Sequence, residues 1–199
     1  MTSSSASTSR VDSVLVGLEG LRGWQEEFYR DLHQHPELSN EERRTAGRVA
    51  ERLRSAGYEV HEGVGGTGVV GVLRRGDGPT VLLRADMDAL PVREATGLPY
   101  ASTVTATDGE GAEVPVMHAC GHDVHVTCLL GAAQLLADGR DAWRGTLVVV
   151  FQPAEEFGEG ARAMISGGLG DLVPRVDVAL GQHVGLLPAG TVATHPGRR

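Results

Sequence analysis

Apolar residues recur every three or four positions near the N-terminus, which is the spacing of an amphipathic helix. The repeat consists of Val11, Leu15, Leu18, Leu21, Trp24 and Phe28. It predicts one helix that ends before His35 and Pro36. A second helical pattern follows, with an apolar stripe formed by Ala46, Val49, Ala50 and Leu53. Ser39 and Glu42 have the spacing of a capping box at its start, and Gly57 is placed to end it as a left-handed C-cap.

After Gly57 the chain changes to short, continuous apolar runs, which are typical of strands covered on both faces. Four of these runs predict strands, at Val69–Leu73, Thr80–Ala85, Thr146–Phe151 and Val176–Leu180. The sequence RGDGP at residues 75–79 predicts a turn between the first two. Helical patterns lie at Val124–Asp138 and, more weakly, at Ala161–Ser166. Strands that alternate with helices predict an α/β fold with a mostly parallel sheet flanked by helices.

The composition excludes several classes of function. Of the 199 residues, 41% are apolar, and the net charge of −8 with no basic run argues against a nucleic-acid partner. No apolar stretch approaches the roughly 20 residues that cross a bilayer, so no membrane partner is expected. Residues 1–10 (MTSSSASTSR) lack the apolar region of a signal peptide and predict a disordered tail. We therefore expect a cytoplasmic protein.

Acidic and imidazole side chains follow three of the predicted strands. Asp86 and Asp88 come after the strand at residues 80–85, Glu155 and Glu156 follow residues 146–151, and His183 follows residues 176–180. In open α/β sheets, ligands bind beyond the carboxyl ends of the strands. We therefore expect these side chains to meet at one edge of the sheet.

A cysteine and a histidine precede the predicted helix at Val124–Asp138. The positive end of that helix is expected to lower the pKa of the Cys120 thiol, and Gly121 allows Cys120 and His122 to face one ion. Together with carboxylates, thiolate and imidazole suit zinc or manganese better than calcium or magnesium. A disulfide with Cys128 is not expected in a reducing compartment. Cys128 lies among apolar residues and is predicted to be buried.

The adjacent glutamates have a specific use in metal-assisted hydrolysis. One carboxylate binds the metal, while its neighbour accepts a proton from water activated by the metal and later protonates the leaving amine. The residues alone leave open which of Glu155 and Glu156 has which role.

Other histidines and one glycine motif have plainer interpretations. His33 and His35 lie at a helix end, where solvation or a carbonyl contact is expected, and His195 is given no role. His118 and His125 flank the Cys-Gly-His segment and are expected to support the ligands rather than bind metal. GVGGTG at residues 63–68 has dinucleotide-motif spacing, but a strand follows it instead of a helix, so a turn is predicted and no cofactor is expected there.

Six segments resemble the M20 metallopeptidase family, and specifically its amidohydrolase branch, which includes hippurate hydrolase and the auxin-conjugate hydrolases. They are DLHQHPELSNEE, GVGGTGVVGVL, LLRADMDALPVRE, MHACGHDVH, FQPAEEFGEGA and GQHVGLLPAGTVATHPG. The resemblance implies a site for two divalent metal ions, Mn²⁺ or Zn²⁺, with Co²⁺ or Ni²⁺ as further options. It implies the ligands Cys120, His122, Glu156 and His183, with Glu155 as general base and Asp88 orienting a ligand. The implied substrates are small N-acyl amino acids, whose amide bond is cleaved.

The resemblance also implies that a lid or dimerisation domain and the rest of the catalytic domain are missing from this chain. Residues 11–190 are expected to form the N-terminal part of a zinc-peptidase-like catalytic domain, and residues 191–199 a junction toward the missing lid. The family's last histidine ligand and the residues that hold the substrate carboxylate have no counterpart here. Two alternatives therefore remain, an inactive metal-binding fragment and a dipeptidase or carboxypeptidase of the same superfamily.

Overall fold

The computed structural model describes residues 9–194. The helices are α1 (Arg10–Leu15), α2 (Leu18–Gln34), α3 (Arg43–Ser55), α4 (His122–Asp138), α5 (Gly160–Met164) and α6 (Gly170–Leu172). A 3₁₀ turn spans Arg140–Ala142, and a π-helical turn at Ile165–Leu169 joins α5 to α6. The strands are β1 (Glu59–Val64), β2 (Gly68–Arg75), β3 (Thr80–Asp86), β4 (Thr105–Thr107), β5 (Glu113–Pro115), β6 (Gly145–Gln152) and β7 (Val178–Gly181).

Five strands form the main sheet in the order β1-β2-β6-β3-β7. Strands β6, β3 and β7 pair in parallel, whereas β2 is antiparallel to both β6 and β1. Four of the five strands therefore run in one direction, which confirms the predicted mostly parallel sheet. The short strands β4 and β5 form a separate antiparallel pair in the excursion between β3 and α4.

Both faces of the sheet are covered at its centre, along β2 and β6, as the continuous apolar runs predict, whereas all four residues of β7 are exposed, so the expected cover is wrong for that strand. Along β6, Val149 and Phe151 pack with side chains of α2, α3 and α4 on one face, whereas Val148 and Val150 pack on the other face with Met164 of α5. Successive residues of a strand point to opposite faces, so a strand at the centre of such a sheet must be apolar at every position. The packed layers fix β6, and parallel pairing joins β3 to β6 and β7 to β3.

Two details of the predicted helices are wrong. The N-terminal repeat forms two helices and not one, because a turn at Val16 and Gly17 interrupts the helix. The Ser39–Glu42 capping box does not form, because α3 begins only at Arg43 and the Ser39 hydroxyl donates to Asp88. The carboxylate of Glu37 instead accepts hydrogen bonds of 2.8 Å from the backbone N–H groups at the start of α3.

The predicted end of α3 is confirmed. Gly57 has φ of +86°, a conformation that glycine adopts without a steric penalty. Its N–H donates to the carbonyl of Arg54, and the N–H of Tyr58 donates to that of Leu53. This pattern is a Schellman motif, which satisfies carbonyl groups at the helix C-terminus.

The two predicted terminal segments fall mainly outside the described residues. Ser9 caps α1 through a capping box with Asp12, and α1 begins at Arg10. The rest of the predicted tail, residues 1–8, and the end of the predicted junction, residues 195–199 with His195, are not among the described residues. Within residues 9–194, no helix combines the length and apolar character needed to cross a membrane.

His33 connects α2 to α4 and to the excursion after β3. Its Nδ1 lies 2.6 Å from the Asp123 carboxylate and its Nε2 lies 3.1 Å from that of Glu94. The ring is buried, so the expected solvation of a helix end is wrong for His33. His35 does make the expected carbonyl contact, with Nδ1 2.7 Å from the carbonyl oxygen of Asp31. The hydrogen bond to Asp123 raises the pKa of His33 to about 9, although burial opposes the shift.

We expect this ion-paired imidazole to make stability depend on pH. Because the pKa of His33 is about 9 in the folded chain and 6.5 when unperturbed, its contribution is complete below pH 6.5 and is lost as the pH rises toward 9. Urea unfolding with chelator present should show that His33→Gln costs more free energy at pH 6 than at pH 9.5. The exposed neighbour provides the control variant, His35→Gln. An equal cost of His33→Gln at both pH values would contradict a charged His33.

Candidate metal centre

The centre lies where three neighbouring parallel strands end. Strand β3 ends at Asp86, β6 at Gln152 and β7 at Gly181, so the loops after them leave the sheet at one edge. The N-terminus of α4 reaches the same edge and begins with His122. This topology delivers the acidic and imidazole groups to one place, as the strand-end argument predicts.

The five residues predicted for the site come together in two overlapping groups. Potential ligand atoms of Cys120, His122 and His183 lie within 4.8 Å of one another, and so do those of His122, Glu155 and Glu156. Cys120 Sγ is 3.5 Å from His183 Nε2. His122 Nε2 is 3.8 Å from a carboxylate oxygen of Glu155 and 3.8 Å from one of Glu156. His122 therefore stands at the centre of the cluster.

Asp88 fixes the orientation of His122. The Nδ1–H of His122 donates to Asp88 Oδ1 over 3.1 Å. The other oxygen, Oδ2, accepts from the Ser39 hydroxyl at 2.6 Å and from the backbone N–H of Glu156 at 3.0 Å. Burial opposes ionisation of Asp88, but these donors lower its pKa below the usual range. The ionised Asp88 binds Nδ1 of His122 and so leaves Nε2 facing the cluster.

The donor atoms fit a divalent cation. His122 Nε2 and Glu156 Oε1 are buried and have no hydrogen-bond partner among the described residues. Two such atoms are costly to bury unless something satisfies both. They lie 3.8 Å apart, beyond hydrogen-bond length. Metal–ligand distances of about 2.0–2.2 Å in a tetrahedral site place two ligand atoms roughly 3.4 Å apart, so small adjustments of these side chains would accommodate one ion.

The two glutamates differ in burial rather than in distance. The side chain of Glu155 is 37% exposed and that of Glu156 is 20% exposed. Glu156 carries the buried, unpartnered oxygen and is held by its backbone bond to Asp88. Glu155 is the carboxylate that solvent or a substrate reaches more readily.

The expected lowering of the Cys120 pKa is wrong for the chain without metal. Burial and the nearby carboxylates of Glu156 and Glu155 raise the pKa of the thiol to about 11. These effects outweigh the partial positive charge at the start of α4, which acts only over a short distance. A divalent cation among the same carboxylates would act in the opposite direction and favour the thiolate.

His125 supports the loop that carries His183. Its Nδ1–H donates to Asp86 Oδ1 over 2.6 Å, and its Nε2 accepts from the N–H of Val184 over 2.8 Å. Both ring nitrogens are thus engaged, although Asp86, His122 and His125 also have ligand-like spacing. His183 Nδ1 lies 2.6 Å from the Val184 carbonyl, which leaves Nε2 facing Cys120. The expected supporting role describes His125 well.

Asp86 is the site residue whose role the sequence left unassigned. It is buried, and Arg84 binds its second oxygen, Oδ2, at 2.7 Å. Burial opposes its ionisation, but the hydrogen bond from His125 and the nearby positive charges lower the pKa of Asp86. Its position directly at the end of β3 was the signal available in the sequence, whereas its contact with His125, 39 residues further along the chain, could not be inferred from it.

Three minor expectations have different outcomes. His118 is buried, and neither ring nitrogen has a partner among the described residues, so the expected supporting hydrogen bond is absent there. Burial lowers the pKa of His118 to about 4, and the ring is therefore neutral. Cys128 is exposed on α4, so its predicted burial is wrong. GVGGTG forms the β1–β2 turn, with positive φ at Gly65 and Gly66, as predicted.

Comparisons with known proteins find one matching family and several similar proteins. The model of peptidase family M20/M25/M40 matches residues 82–197. Thermostable carboxypeptidase 1 of Saccharolobus solfataricus is 46% identical over 192 residues, which cover 94% of this chain and 46% of that protein. Hippurate hydrolase of Campylobacter jejuni is 49% identical over 150 residues, covering 75% of this chain and 36% of that protein.

A solved structure shares the fold. The crystal structure of the Bacillus subtilis YXEP protein, described as a dinuclear metal-binding peptidase of the M20 family, aligns with a TM-score of 0.72 and 37% identity. The alignment covers 83% of this chain and 43% of that protein. The chain therefore spans about half the length, or less, of the relatives it matches.

Metal binding to this cluster should strengthen as the pH rises. A thiol with a pKa of about 11 must lose its proton before it can act as a ligand, so metal binding should release that one proton near neutral pH. Calorimetric titration with Zn²⁺ in buffers of different ionisation enthalpy measures the protons released. We expect Cys120→Ser to release about one proton fewer and to depend less on pH. Unchanged proton release in that variant would show that Cys120 is not a ligand.

Proposed function

Because the chain belongs to peptidase family M20/M25/M40, we propose that its metal-ligand cluster forms part of the catalytic centre of a metal-dependent amide hydrolase. The observation that carries this proposal is the pair of buried, unpartnered atoms His122 Nε2 and Glu156 Oε1. Cys120 and His183 lie beside them with further donor atoms. The chain covers 46% of thermostable carboxypeptidase 1 and 36% of hippurate hydrolase, so catalytic activity is itself a proposal.

The proposed ligands are Cys120, His122, Glu156 and His183. A thiolate, two imidazoles and a carboxylate suit a first-row ion such as Zn²⁺ or Mn²⁺. When bound, divalent ions polarise a carbonyl oxygen and acidify a coordinated water. We propose two ions, in keeping with the dinuclear peptidase whose fold this chain shares.

Glu155 is the proposed general base. Its partial exposure leaves an oxygen that can accept a proton from water while the more buried Glu156 binds metal. The same carboxyl group can then protonate the leaving amine, because a group that accepts a proton in one step can return it in the next. Asp88 does not react in this scheme. It keeps the proton of His122 on Nδ1, so that Nε2 remains a ligand.

The proposed substrates are N-acyl amino acids. The similarity to hippurate hydrolase supports a small acylated amino acid, and the similarity to thermostable carboxypeptidase 1 favours a second candidate, release of an amino acid from a peptide. The two candidates share hydrolysis of an amide bond beside an amino acid. They differ in what lies on the acyl side of that bond.

An assay of the 199-residue chain separates these candidates. We expect hydrolysis of hippurate or N-acetyl amino acids in the presence of Zn²⁺ or Mn²⁺, and its loss with chelator. Preferred cleavage of blocked dipeptides would instead support the carboxypeptidase candidate. Metal binding without turnover on either substrate class would support the third alternative, an inactive metal-binding fragment of a longer enzyme.

The two glutamates should respond differently to the same substitution. Glu155→Gln should bind Zn²⁺ like the unaltered chain but lower turnover about 10²–10⁴-fold, because it removes a proton acceptor. Glu156→Gln should weaken Zn²⁺ binding by at least about tenfold, because it removes a ligand charge. Equilibrium titration with Zn²⁺ measures the affinity of both variants, even if the chain shows no turnover. Weaker Zn²⁺ binding by Glu155→Gln and normal binding by Glu156→Gln would exchange the two roles. Normal activity of Glu155→Gln would exclude Glu155 as the base.

A further inference from the structure

Two residues other than glycine have positive φ within residues 9–194. They are Asn40, at 69°, and Ala154, at 45°. Alanine has no side-chain group that favours this left-handed conformation, so the surrounding structure must impose it. The two residues lie in different loops, one before α3 and the other after β6.

One carboxylate oxygen binds both of these residues. Glu42 Oε1 accepts the N–H of Asn40 at 3.0 Å and the N–H of Ala154 at 2.9 Å. The second oxygen, Oε2, accepts the hydroxyl of Thr67 in the β1–β2 turn. The side chain is fully buried, and it ties three loops together.

Both loops held by Glu42 lead directly to Asp88. Ser39 precedes Asn40, and its hydroxyl donates to Asp88 Oδ2. Two residues after Ala154, the N–H of Glu156 donates to the same oxygen. The backbone turns at Asn40 and Ala154 therefore set the contacts that hold Asp88.

Support of helix α3 does not explain this arrangement. Glu42 occupies the N-cap position of α3, yet its side chain makes no capping hydrogen bond. The carboxylate of Glu37 does so, by accepting from the N–H groups of Arg44 and Thr45. A polar side chain needed only for the helix would have no reason to bind Ala154, 112 residues away.

We propose that Glu42 is a positioning residue of the metal centre, whose carboxylate holds Ala154 in the left-handed conformation that directs Glu155 and Glu156 toward His122. The metal-related part of this inference rests on the proposed function. The backbone part, that Glu42 holds the loop at Ala154, stands on the hydrogen bonds alone. A glutamine amide has nearly the same shape as this side chain and keeps one oxygen acceptor, so it is a close substitute in the hydrogen bonds to Asn40 and Ala154.

Three variants test the proposal. Glu42→Gln keeps an oxygen for Asn40 and Ala154 and can donate to Thr67, so it should behave like the unaltered chain. Glu42→Met keeps a side chain of similar length but removes both acceptors. Glu37→Met is the matched control, because it removes a carboxylate that caps the same helix and makes no side-chain contact with Ala154.

Two measurements are made on each variant. Amide hydrogen exchange at Ala154, followed by NMR in the presence of chelator, reports the loop without metal. We expect Glu42→Met to accelerate it at least about tenfold, and Glu42→Gln and Glu37→Met to leave it within about threefold. Zn²⁺ affinity should fall at least about tenfold in Glu42→Met alone, the size of effect that residues supporting metal ligands have.

A second route covers the case in which Glu42→Met does not fold. Glycine adopts positive φ without a penalty. Adding Ala154→Gly to the Glu42→Met chain should therefore recover part of the folding and Zn²⁺ affinity that Glu42→Met alone loses. Absence of any recovery would overturn the proposal. A folded Glu42→Met chain with normal hydrogen exchange at Ala154 or normal Zn²⁺ affinity would overturn it too. Equal losses of Zn²⁺ affinity in Glu42→Met and Glu37→Met would also do so.

The outcome also separates this inference from the proposed function. An unaltered chain that binds no Zn²⁺ would overturn the metal centre and, with it, the metal-related part of the inference. Exchange at Ala154 would then still decide whether Glu42 holds the loop. Normal Zn²⁺ binding by every variant would overturn the positioning role and leave the metal centre intact.

Discussion

The buried carboxylate of Asp88 is the interaction on which the arrangement of the cluster depends. One of its oxygens binds the ring of His122, and the other binds both the Ser39 hydroxyl and the backbone of Glu156. Three segments that are distant in sequence are thus held by one ionised group. An uncompensated charge at this depth would be costly, so the donors must remain in place for the fold to be stable. The orientation of the His122 ring follows directly from that requirement.

The surroundings of the site make it suited to a cation. Carboxylates near Cys120 raise the pKa of its thiol, and the whole chain carries a net charge of −8. Two buried histidines nearby show how strongly the environment decides charge: His33 lies between two carboxylates and stays protonated, whereas His118 has no partner among the described residues and stays neutral. Positive charge is therefore favoured only where a carboxylate faces it directly.

The sequence predicts the parts of the structure that depend on local pattern and residue type. The central strands are apolar on both faces, so their positions and the edge at which Asp88, Glu156 and His183 meet could be inferred. Strand β1 was missed because it is an outermost strand of the sheet and only two of the six residues in its sequence, EVHEGV, have apolar side chains. The break between α1 and α2 was missed because the apolar spacing continues across it.

Long-range hydrogen bonds are what the sequence could not predict. Ser39 and Glu42 have capping-box spacing, but their side chains bind Asp88 and Ala154, 49 and 112 residues away. The thiol pKa of Cys120 was misjudged for the same reason, since the helix start is adjacent in sequence and the opposing carboxylates are not. Local rules describe the nearest groups, whereas a buried polar side chain takes whichever partner the fold brings to it.

Anomalous X-ray diffraction from crystals grown with Zn²⁺ or Mn²⁺ tests the metal centre most directly. We expect two peaks, each about 2.0–2.3 Å from ligand atoms among Cys120 Sγ, His122 Nε2, Glu156 Oε1 and His183 Nε2, with Glu155 left free of both ions and His125 still bound to Asp86. Ions found only at other positions, or a cluster that stays free of metal at saturating concentration, would contradict the assignment of these residues as ligands.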